Sequence, residues 1–297
     1  MLTMIGGGVF QGPCENVRVI RPILAAMVAL LVVASPAMAV PTPAPDVASV
    51  VSGAGQSMYL ECAGEHAKKK DPTIVLIPGL GATHTYFRSV FRSLATSSRV
   101  CSYDRPGLGK SPARIGSRVV NAELHADELL AGLAAVGESG PFLVVGHSYG
   151  GLLAREFAVR APDAVTGMVL IDPSYSTQWQ TDVRYWREGK SKIDMKAVQD
   201  EVFGKPELGK KPLLVITAGK GSSKGWHAEQ QRMVKFSSNA YRVIVKNASH
   251  VIFATNPSAV VAGVTQVLES VRSDEPLPGC TDPMVAMWAA MFTRCVG

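Results

Sequence analysis

The sequence predicts an α/β fold, in which helices cover both faces of a mostly parallel central sheet. Short apolar runs alternate along the chain with longer segments of helical periodicity, which is the order that βαβ units produce. Runs such as residues 74–77 and 142–145 are apolar at every position. A strand buried on both faces of a parallel sheet has that pattern, whereas a half-exposed strand alternates.

Each element has its own local signal. Period-two alternation around the glycines at 53 and 55 predicts a β-hairpin over residues 47–62. Apolar runs bounded by turn residues predict strands at 73–78, 100–104, 142–145, 167–172, 213–218 and 241–245. Amphipathic periodicity predicts helices at 87–95, 119–136, 152–161 and 258–271.

One segment, residues 173–212, interrupts this alternation and is rich in Trp, Tyr, Lys and Asp. Loops of this length are uncommon in a compact domain unless they have a function. We therefore predict a small cap inserted into the core, and we call residues 173–212 the cap segment. A plain long loop is the alternative.

Composition limits the class of protein. The chain has 297 residues, of which 47% are apolar and 18% charged, enough for one large domain with a sizeable core. The net charge is +6, but the sequence contains no basic stripe interleaved with aromatic residues. We therefore expect no nucleic-acid partner. Weak attraction to anionic surfaces stays open. No Cys/His spacing resembles a zinc site, and we expect no metal.

The N-terminal stretch has the pattern of an export signal. Arg18 and Arg21 precede an uncharged apolar run at 22–33, and an Ala-Met-Ala sequence ends at Ala39. This predicts cleavage after Ala39 and a secreted or periplasmic protein without stable membrane insertion after cleavage. An uncleaved N-terminal membrane anchor is the alternative. The predicted regions are a signal peptide (1–39), a Pro-rich linker (40–47), the core with its cap (48–272) and a C-terminal tail (273–297).

Cysteine usage agrees with export. Four cysteines lie outside the predicted signal, and an even number in an oxidising compartment indicates two disulfides with three possible connectivities. We predict Cys62–Cys101 and Cys280–Cys295, the second closing the tail. Four reduced, buried thiols are the alternative.

The stretch around Ser148 carries the strongest chemical signal. Gly-His-Ser-Tyr-Gly at residues 146–150 follows an apolar strand and precedes a helix, the context of a nucleophile elbow rather than of a chance match. The two glycines keep side chains out of a crowded turn. The amide of Tyr149, at the helix N-terminus, is then aimed where an oxyanion would form.

Four motifs in this order resemble the α/β-hydrolase fold superfamily, and more narrowly its short-cap esterase and lipase-like group. They are Pro-Gly-Leu-Gly at 78–81, Asp-Arg-Pro-Gly-Leu-Gly-Lys-Ser at 104–111, the elbow at 146–150 and Ser-His-Val at 249–251. The resemblance covers about residues 58–271. It implies a serine hydrolase that needs no metal or organic cofactor.

The resemblance also implies the partners of Ser148. His250 follows the last predicted strand, where the base belongs. Most relatives carry the acid after the strand at 213–218, but the turn that follows here has no Asp or Glu. Asp172, at the end of the preceding strand, is the predicted acid. Glu229, a Ser–His dyad, and a plain Asp-Pro turn at Asp172 are the alternatives.

The resemblance also implies which amides form the oxyanion hole, and two further histidines lie near these motifs in the sequence. The amides of Leu80 and Tyr149 are predicted to form the oxyanion hole. His147 is interpreted as structural packing beneath the elbow, and His84 as a residue that could line the site because it follows the turn at Gly79.

These residues predict an exported hydrolase of small carboxylic esters. An amidase or peptidase, a C–C hydrolase and a haloperoxidase-like enzyme would use the same triad, so they stay open. A non-catalytic binding module on the same scaffold is the alternative from another class. The aromatic residues of the cap could line an acyl pocket or form the cap's own core, and the sequence leaves substrate identity and oligomeric state undetermined.

Overall fold

The computed structural model describes residues 42–116, 118–175, 184–280 and 293–296. The predicted signal peptide, residues 176–183 of the cap segment and residues 281–292 of the predicted C-terminal tail lie outside the described residues. The strands are β1 Val47–Gly53, β2 Gln56–Ala63, β3 Thr73–Ile77, β4 Val100–Asp104, β5 Val119–Val120, β6 Phe142–His147, β7 Val165–Ile171, β8 Tyr185–Glu188, β9 Ser191–Asp194, β10 Leu213–Ala218, β11 Ala240–Val245 and β12 Thr293–Val296. The α-helices are α1 Arg88–Ala95, α2 Ala122–Ala135, α3 Tyr149–Arg160, α4 Met195–Val202, α5 Lys224–Met233, α6 Ile252–Thr255 and α7 Pro257–Ser273.

The central sheet has the order β1-β2-β4-β3-β6-β7-β10-β11-β12. The strands from β4 to β11 in this order pair in parallel, while β1, β2 and β12 pair antiparallel at the two edges. The predicted fold class, a mostly parallel sheet with helices, is confirmed. Because β3, β6, β7 and β10 are neighbours, the turns at their carboxyl ends meet at one edge of the sheet.

Helices cover both faces of this sheet, and alternate residues of each strand serve the two faces. On one face, Val75 of β3 and Val144 of β6 pack in a cluster with apolar residues of α2 and α3. On the other face, Ile74 and Leu76 of β3 pack with apolar residues of α1 and α7. Strands that face apolar layers on both sides explain the continuous apolar runs of the sequence.

Strands β8 and β9 of the cap segment form a second, small sheet with β5, in the order β5-β9-β8. Strands β8 and β9 form an antiparallel hairpin, and β5 pairs in parallel with β9 through Val119–Lys192 and Val120–Ile193. Helix α4 follows the hairpin, and Glu201 of α4 accepts the amide of Ala122 at the start of α2. The described part of the cap segment is therefore ordered secondary structure that packs on the core.

The predicted start of the long helix at residue 119 is wrong. Val119 and Val120 form β5, and the helix begins at Ala122. The side chain of Asn121 accepts the amide of Leu124 at 3.0 Å, which caps the helix at that point. The β-branched pair before Asn121 pairs with the cap instead of extending the helix.

Both predicted disulfides are present. Cys62 and Cys101 are directly opposite each other on β2 and β4 and are fully buried. Cys280–Cys295 joins the end of the chain after α7 to β12, the last strand of the central sheet. Among the residues that the structure describes, no helix combines the length and the apolar character needed to span a bilayer.

Candidate active site

The turn between β6 and α3 holds Ser148 in a strained conformation. Its φ of 55° and ψ of −122° lie outside the regions that L-residues normally adopt. The turn is possible only with glycine on both sides. A Cβ on Gly146 would lie 2.3 Å from the carbonyl oxygen of Gly150, and a Cβ on Gly150 would lie 2.2 Å from that of Ile77. The backbone therefore holds the serine as a nucleophile elbow requires.

His250 lies between Ser148 and Asp172. Its Nε2 is 2.8 Å from Oγ of Ser148, and its Nδ1 is 2.7 Å from Oδ2 of Asp172. The residue follows β11, so its loop lies at the same sheet edge as the elbow. The three predicted residues thus form one chain of hydrogen bonds, with the ring nitrogens placed to accept from the hydroxyl and to donate to the carboxylate.

Asp172 directly follows β7 and is buried, with a positive φ of 38°. Its Oδ1 accepts hydrogen bonds from the amide of Ala218 at 3.0 Å, the indole of Trp226 at 2.9 Å and the side chain of Gln230 at 3.0 Å. Burial raises the pKa of Asp172, but the hydrogen bonds from His250, Ala218 and Trp226 outweigh it and leave the pKa below its ordinary value. The carboxylate is therefore held ionised.

The turn after β10 supplies donors where relatives would supply the acid. It ends in α5, which carries Trp226 and Gln230 on the side of Asp172. Glu229, the alternative acid, is on the same helix but pairs with Arg232. The structure therefore brings Asp172, and not Glu229, to His250. Sequence reasoning missed the two α5 donors because nothing in a helix sequence identifies a partner that lies more than 50 residues earlier.

His147 is buried beneath the elbow and donates from Nε2 to the carbonyl oxygen of His250 at 2.9 Å. Burial, reinforced by the neighbouring His250, lowers the pKa of His147 to about 4, so the ring is neutral at ordinary pH. The residue positions the loop of His250. The structure buries His84 against Asp104 and Glu61, away from the cavity that Ser148 faces.

Ser148 and His250 open onto a cavity of about 270 Å³. The predicted oxyanion donors, Leu80 and Tyr149, line it together with Ser148. Within the described residues, no acceptor is bonded to the backbone amide of either Leu80 or Tyr149. Free amides beside a nucleophile are what an oxyanion hole requires.

The rest of the cavity wall is mostly apolar. The other lining residues are Gly79, Ala82, Tyr86, His147, Ser174, Trp186, Met195, Trp226 and Val251. Trp186 and Met195 come from the cap segment, so the cap forms part of the wall. No carboxylate, ammonium or guanidinium group is present among these described lining residues, so the cavity suits an uncharged group.

Among the described residues, one group of side chains has the composition of a potential metal site. Ligand atoms of Cys62, Cys101 and Glu138 come together, but the two cysteines form the buried disulfide and offer no thiolate.

Comparison with known proteins agrees with the fold. A family model described as alpha/beta hydrolase fold matches residues 72–205. The uncharacterized protein YqjL of Bacillus subtilis is 26% identical over 211 residues, which cover 66% of this chain and 83% of YqjL. A proline iminopeptidase of Clostridioides difficile is 27% identical over 150 residues, which cover 50% of this chain and 51% of that protein. The chain matches only 12% of the length of another relative, a polyketide synthase of Burkholderia thailandensis.

Solved structures show the same architecture. A thermophilic esterase from Thermogutta terrifontis superposes with a TM-score of 0.56 at 18% identity, covering 76% of this chain and 98% of that one. The enol-lactonase from Burkholderia xenovorans LB400 superposes with a TM-score of 0.57 at 18% identity, covering 74% of this chain and all of the other. The family model matched at residues 72–205 and the superposed structures show that this chain has the α/β-hydrolase fold.

Proposed function

We propose that the protein is an exported serine hydrolase that cleaves small, uncharged carboxylic esters. One observation carries the proposal: Ser148, His250 and Asp172 form an unbroken chain of hydrogen bonds whose serine end faces an apolar cavity. A serine hydroxyl is a weak nucleophile and needs such a base beside it.

In the first half of the reaction, Oγ of Ser148 attacks the ester carbonyl carbon while Nε2 of His250 takes the hydroxyl proton. The carbonyl oxygen becomes an oxyanion and accepts hydrogen bonds from the amides of Leu80 and Tyr149. Asp172 stabilises the imidazolium of His250. The tetrahedral intermediate then collapses, the C–O bond to the alcohol breaks, and Nε2 protonates the departing alkoxide. The products are a free alcohol and an acyl-serine.

In the second half, a water molecule gives a proton to Nε2 of His250 and attacks the acyl carbon. The new oxyanion accepts hydrogen bonds from the same two amides. Collapse breaks the bond to Oγ, which takes back the proton from His250, and a carboxylic acid leaves. The sum is one ester and one water converted to one acid and one alcohol, with Ser148 regenerated.

The cavity supports an ester rather than a peptide. Its described lining offers no charged side chain to bind the terminal ammonium or carboxylate of a peptide. Its volume of about 270 Å³ favours a short acyl or alcohol group. Two structural neighbours are named esterase and enol-lactonase, which agrees with ester chemistry. Because one sequence relative is named proline iminopeptidase, an amide substrate should be tested beside the ester.

A fluorophosphonate probe tests the proposal, with Ser148→Ala as the matched control. We expect one covalent adduct on the wild type, none on the variant, and hydrolysis of p-nitrophenyl acetate that the variant loses. A p-nitroanilide of the same acyl group should react far more slowly. A folded wild-type protein that neither takes the probe nor cleaves the ester would contradict hydrolase function and favour the binding-module alternative.

Export rests on the predicted cleavage after Ala39 and is supported by the two disulfides, because disulfides persist mainly in oxidising compartments. Intact mass spectrometry of protein recovered from the culture medium or periplasm tests it. The expected mass is that of a chain that begins at Val40. A full-length mass confined to the membrane fraction would instead support an N-terminal anchor.

A further inference from the structure

A buried ion pair connects the turn that carries Leu80 to the cap segment. Arg105 directly follows β4 and Glu188 ends β8, and their side chains are 2% and 3% exposed. Nε of Arg105 donates to Oε2 of Glu188 at 2.8 Å, and Nη2 donates to Oε1 at 2.7 Å. This two-point pairing fixes the guanidinium plane relative to the carboxylate.

The same two side chains also hold the backbone on both sides of Leu80. Nη1 of Arg105 donates to the carbonyl oxygen of Pro78 at 2.7 Å, and Nη2 donates to that of Gly79. Oε1 of Glu188 accepts the amide of Gly81 at 2.7 Å. Every hydrogen bond in this set is to a main-chain group of the turn.

Peptide geometry converts these bonds into the direction of one N–H group. A trans peptide is planar, and its N–H points opposite to its C=O. By holding the carbonyl of Gly79, Arg105 therefore fixes the direction of the Leu80 N–H. By holding the amide of Gly81, Glu188 fixes the next peptide plane. Both planes that flank the α-carbon of Leu80 are pinned.

We propose that Arg105 and Glu188 are positioning residues that aim the Leu80 amide at the oxyanion, so that the cap segment sets the geometry of the oxyanion hole. This inference rests on the proposed serine hydrolase function. Neither side chain lines the cavity, so neither acts on the substrate directly.

The charges around the pair show why it must stay intact. His125, Tyr103 and Tyr149 lie close to it and are neutral, because burial lowers the pKa of His125 to about 3 and raises those of both tyrosines. Glu188 is therefore the carboxylate that balances the buried guanidinium. Removing one partner leaves the other charge without compensation in the interior.

The pair also couples the turn to the substrate wall. Trp186, two residues before Glu188, lines the cavity, and the β8–β9 hairpin leads directly into Met195 of the same wall. A displacement of this hairpin would move Trp186 and Glu188 together. Substrates that fit the wall poorly would then also disturb the Leu80 amide.

Two variants test this proposal, Arg105→Lys and Glu188→Gln, with Arg114→Lys and Glu128→Gln as matched controls. Arg114 and Glu128 form an equally buried two-point ion pair, with side chains 3% and 2% exposed, that does not bond to the turn. We expect kcat for p-nitrophenyl acetate to fall roughly 10- to 100-fold in the test variants with KM within about threefold, since a whole oxyanion donor is worth about 100- to 1,000-fold. The controls should keep the wild-type kcat.

A trifluoromethyl ketone provides a readout that general destabilisation would not move, because it forms a tetrahedral adduct on serine. Its inhibition constant should rise in proportion to the loss of kcat/KM, while that of the planar carboxylate product stays constant. Equal losses in test and control pairs, or an unchanged ketone constant, would overturn the positioning role. Wild-type protein that is inert towards both ester and probe would instead overturn the hydrolase function itself.

If neither test variant folds, amide hydrogen exchange on the wild-type protein tests the positioning role instead. The Gly81 amide should be protected in the free protein, and the Leu80 amide should become protected only when the ketone is bound. Exchange of Gly81 at the rate of an open loop, or no change at Leu80, would overturn the proposal.

Discussion

The side chain of Gln230 donates one N–H to Oδ1 of Asp172 and one to the carbonyl oxygen of Pro173, both at 3.0 Å. The glutamine is fully buried, and the bond to Asp172 reaches across 58 residues of the sequence. A helix after β10 thus fixes the orientation of an acid that comes from β7. Two predictions follow from the environment of this acid.

Gln230→Met removes a donor at nearly constant volume. We expect a loss of roughly 1.5–3 kcal/mol in the free energy of unfolding at pH 7, the range for a hydrogen bond to a charged group. The folded pKa of Asp172 lies below its ordinary value, so the stability it contributes is present above pH 4 and is lost as the pH falls through the folded pKa. The cost of the variant should therefore shrink in acid. Urea titrations at pH 7 and pH 3 measure the cost, and an equal cost at the two pH values would contradict a bond to the ionised carboxylate.

Asp172→Asn should lower kcat by about 100- to 10,000-fold with little change in KM. The retained oxygen would keep the bonds from Ala218, Trp226 and Gln230, so the new amide would face Nδ1 of His250 and favour the wrong tautomer. Steady-state kinetics with p-nitrophenyl acetate measure the effect. Glu229→Gln is the control and should stay within about twofold of wild type, and a larger loss there than at Asp172 would reverse the assignment.

Local signals made the core and Ser148 predictable. Continuous apolar runs are sufficient to predict the buried parallel strands. The Gly-x-Ser-x-Gly turn locates Ser148 without any knowledge of the fold. Asp172 could be predicted because it directly follows β7, and His250 because it lies in the loop after β11. The carboxyl ends of parallel strands share one edge of the sheet.

The missed features all depend on contacts between distant residues. Glu188 is in a four-residue strand whose sequence shows no sign of Arg105, 83 residues earlier. Strand β5 has two residues and becomes a strand only because β9 lies beside it. Neither length nor pattern distinguishes such a segment from the first turn of a helix.

Gly150→Ala should destabilise the protein by at least about 2 kcal/mol, because the new Cβ would overlap the backbone of Ile77, which cannot yield as a side chain tip can. Gly225→Ala is the matched control: its Cβ would come no closer than 3.8 Å to any atom, and it lies in α5, where alanine is favoured. We expect the control to be neutral or slightly stabilising. Thermal unfolding of both variants decides, and equal melting temperatures would refute the packing argument.

Two buried, neutral histidines should make the fold less stable in mild acid. The pKa values of His125 and His147 fall to about 3 and about 4, below the ordinary value of 6.5. An unfolded chain would take up those protons as the pH falls below 6.5, whereas the folded chain would not, so stability declines from pH 6.5 towards 4. Burial also raises the pKa of Glu156 to about 7, so the folded chain takes up one proton there and offsets part of the loss. Each histidine contributes at most about 1.4 kcal/mol per pH unit. Unfolding free energies at pH 7, 6 and 5 test this, and His125→Phe should flatten the slope.

The two disulfides should differ in their resistance to reductant. Cys62 and Cys101 are fully buried, while Cys280 and Cys295 are partly exposed. A thiol must reach a sulfur to attack it, so mild dithiothreitol should open Cys280–Cys295 first and leave Cys62–Cys101 intact until the protein unfolds. Alkylation followed by peptide mass mapping gives the order. Simultaneous loss of both bonds from folded protein would contradict it.

Strand β5 comes before the elbow in sequence, yet its only strand partner among the described residues is β9 of the cap segment. The cap is therefore assembled from two separate stretches of the gene. Exchanging residues 173–212 for the corresponding segment of a relative would leave Val119 and Val120 beside a foreign strand. Chimeras intended to alter substrate range should transfer residues 118–121 together with the cap.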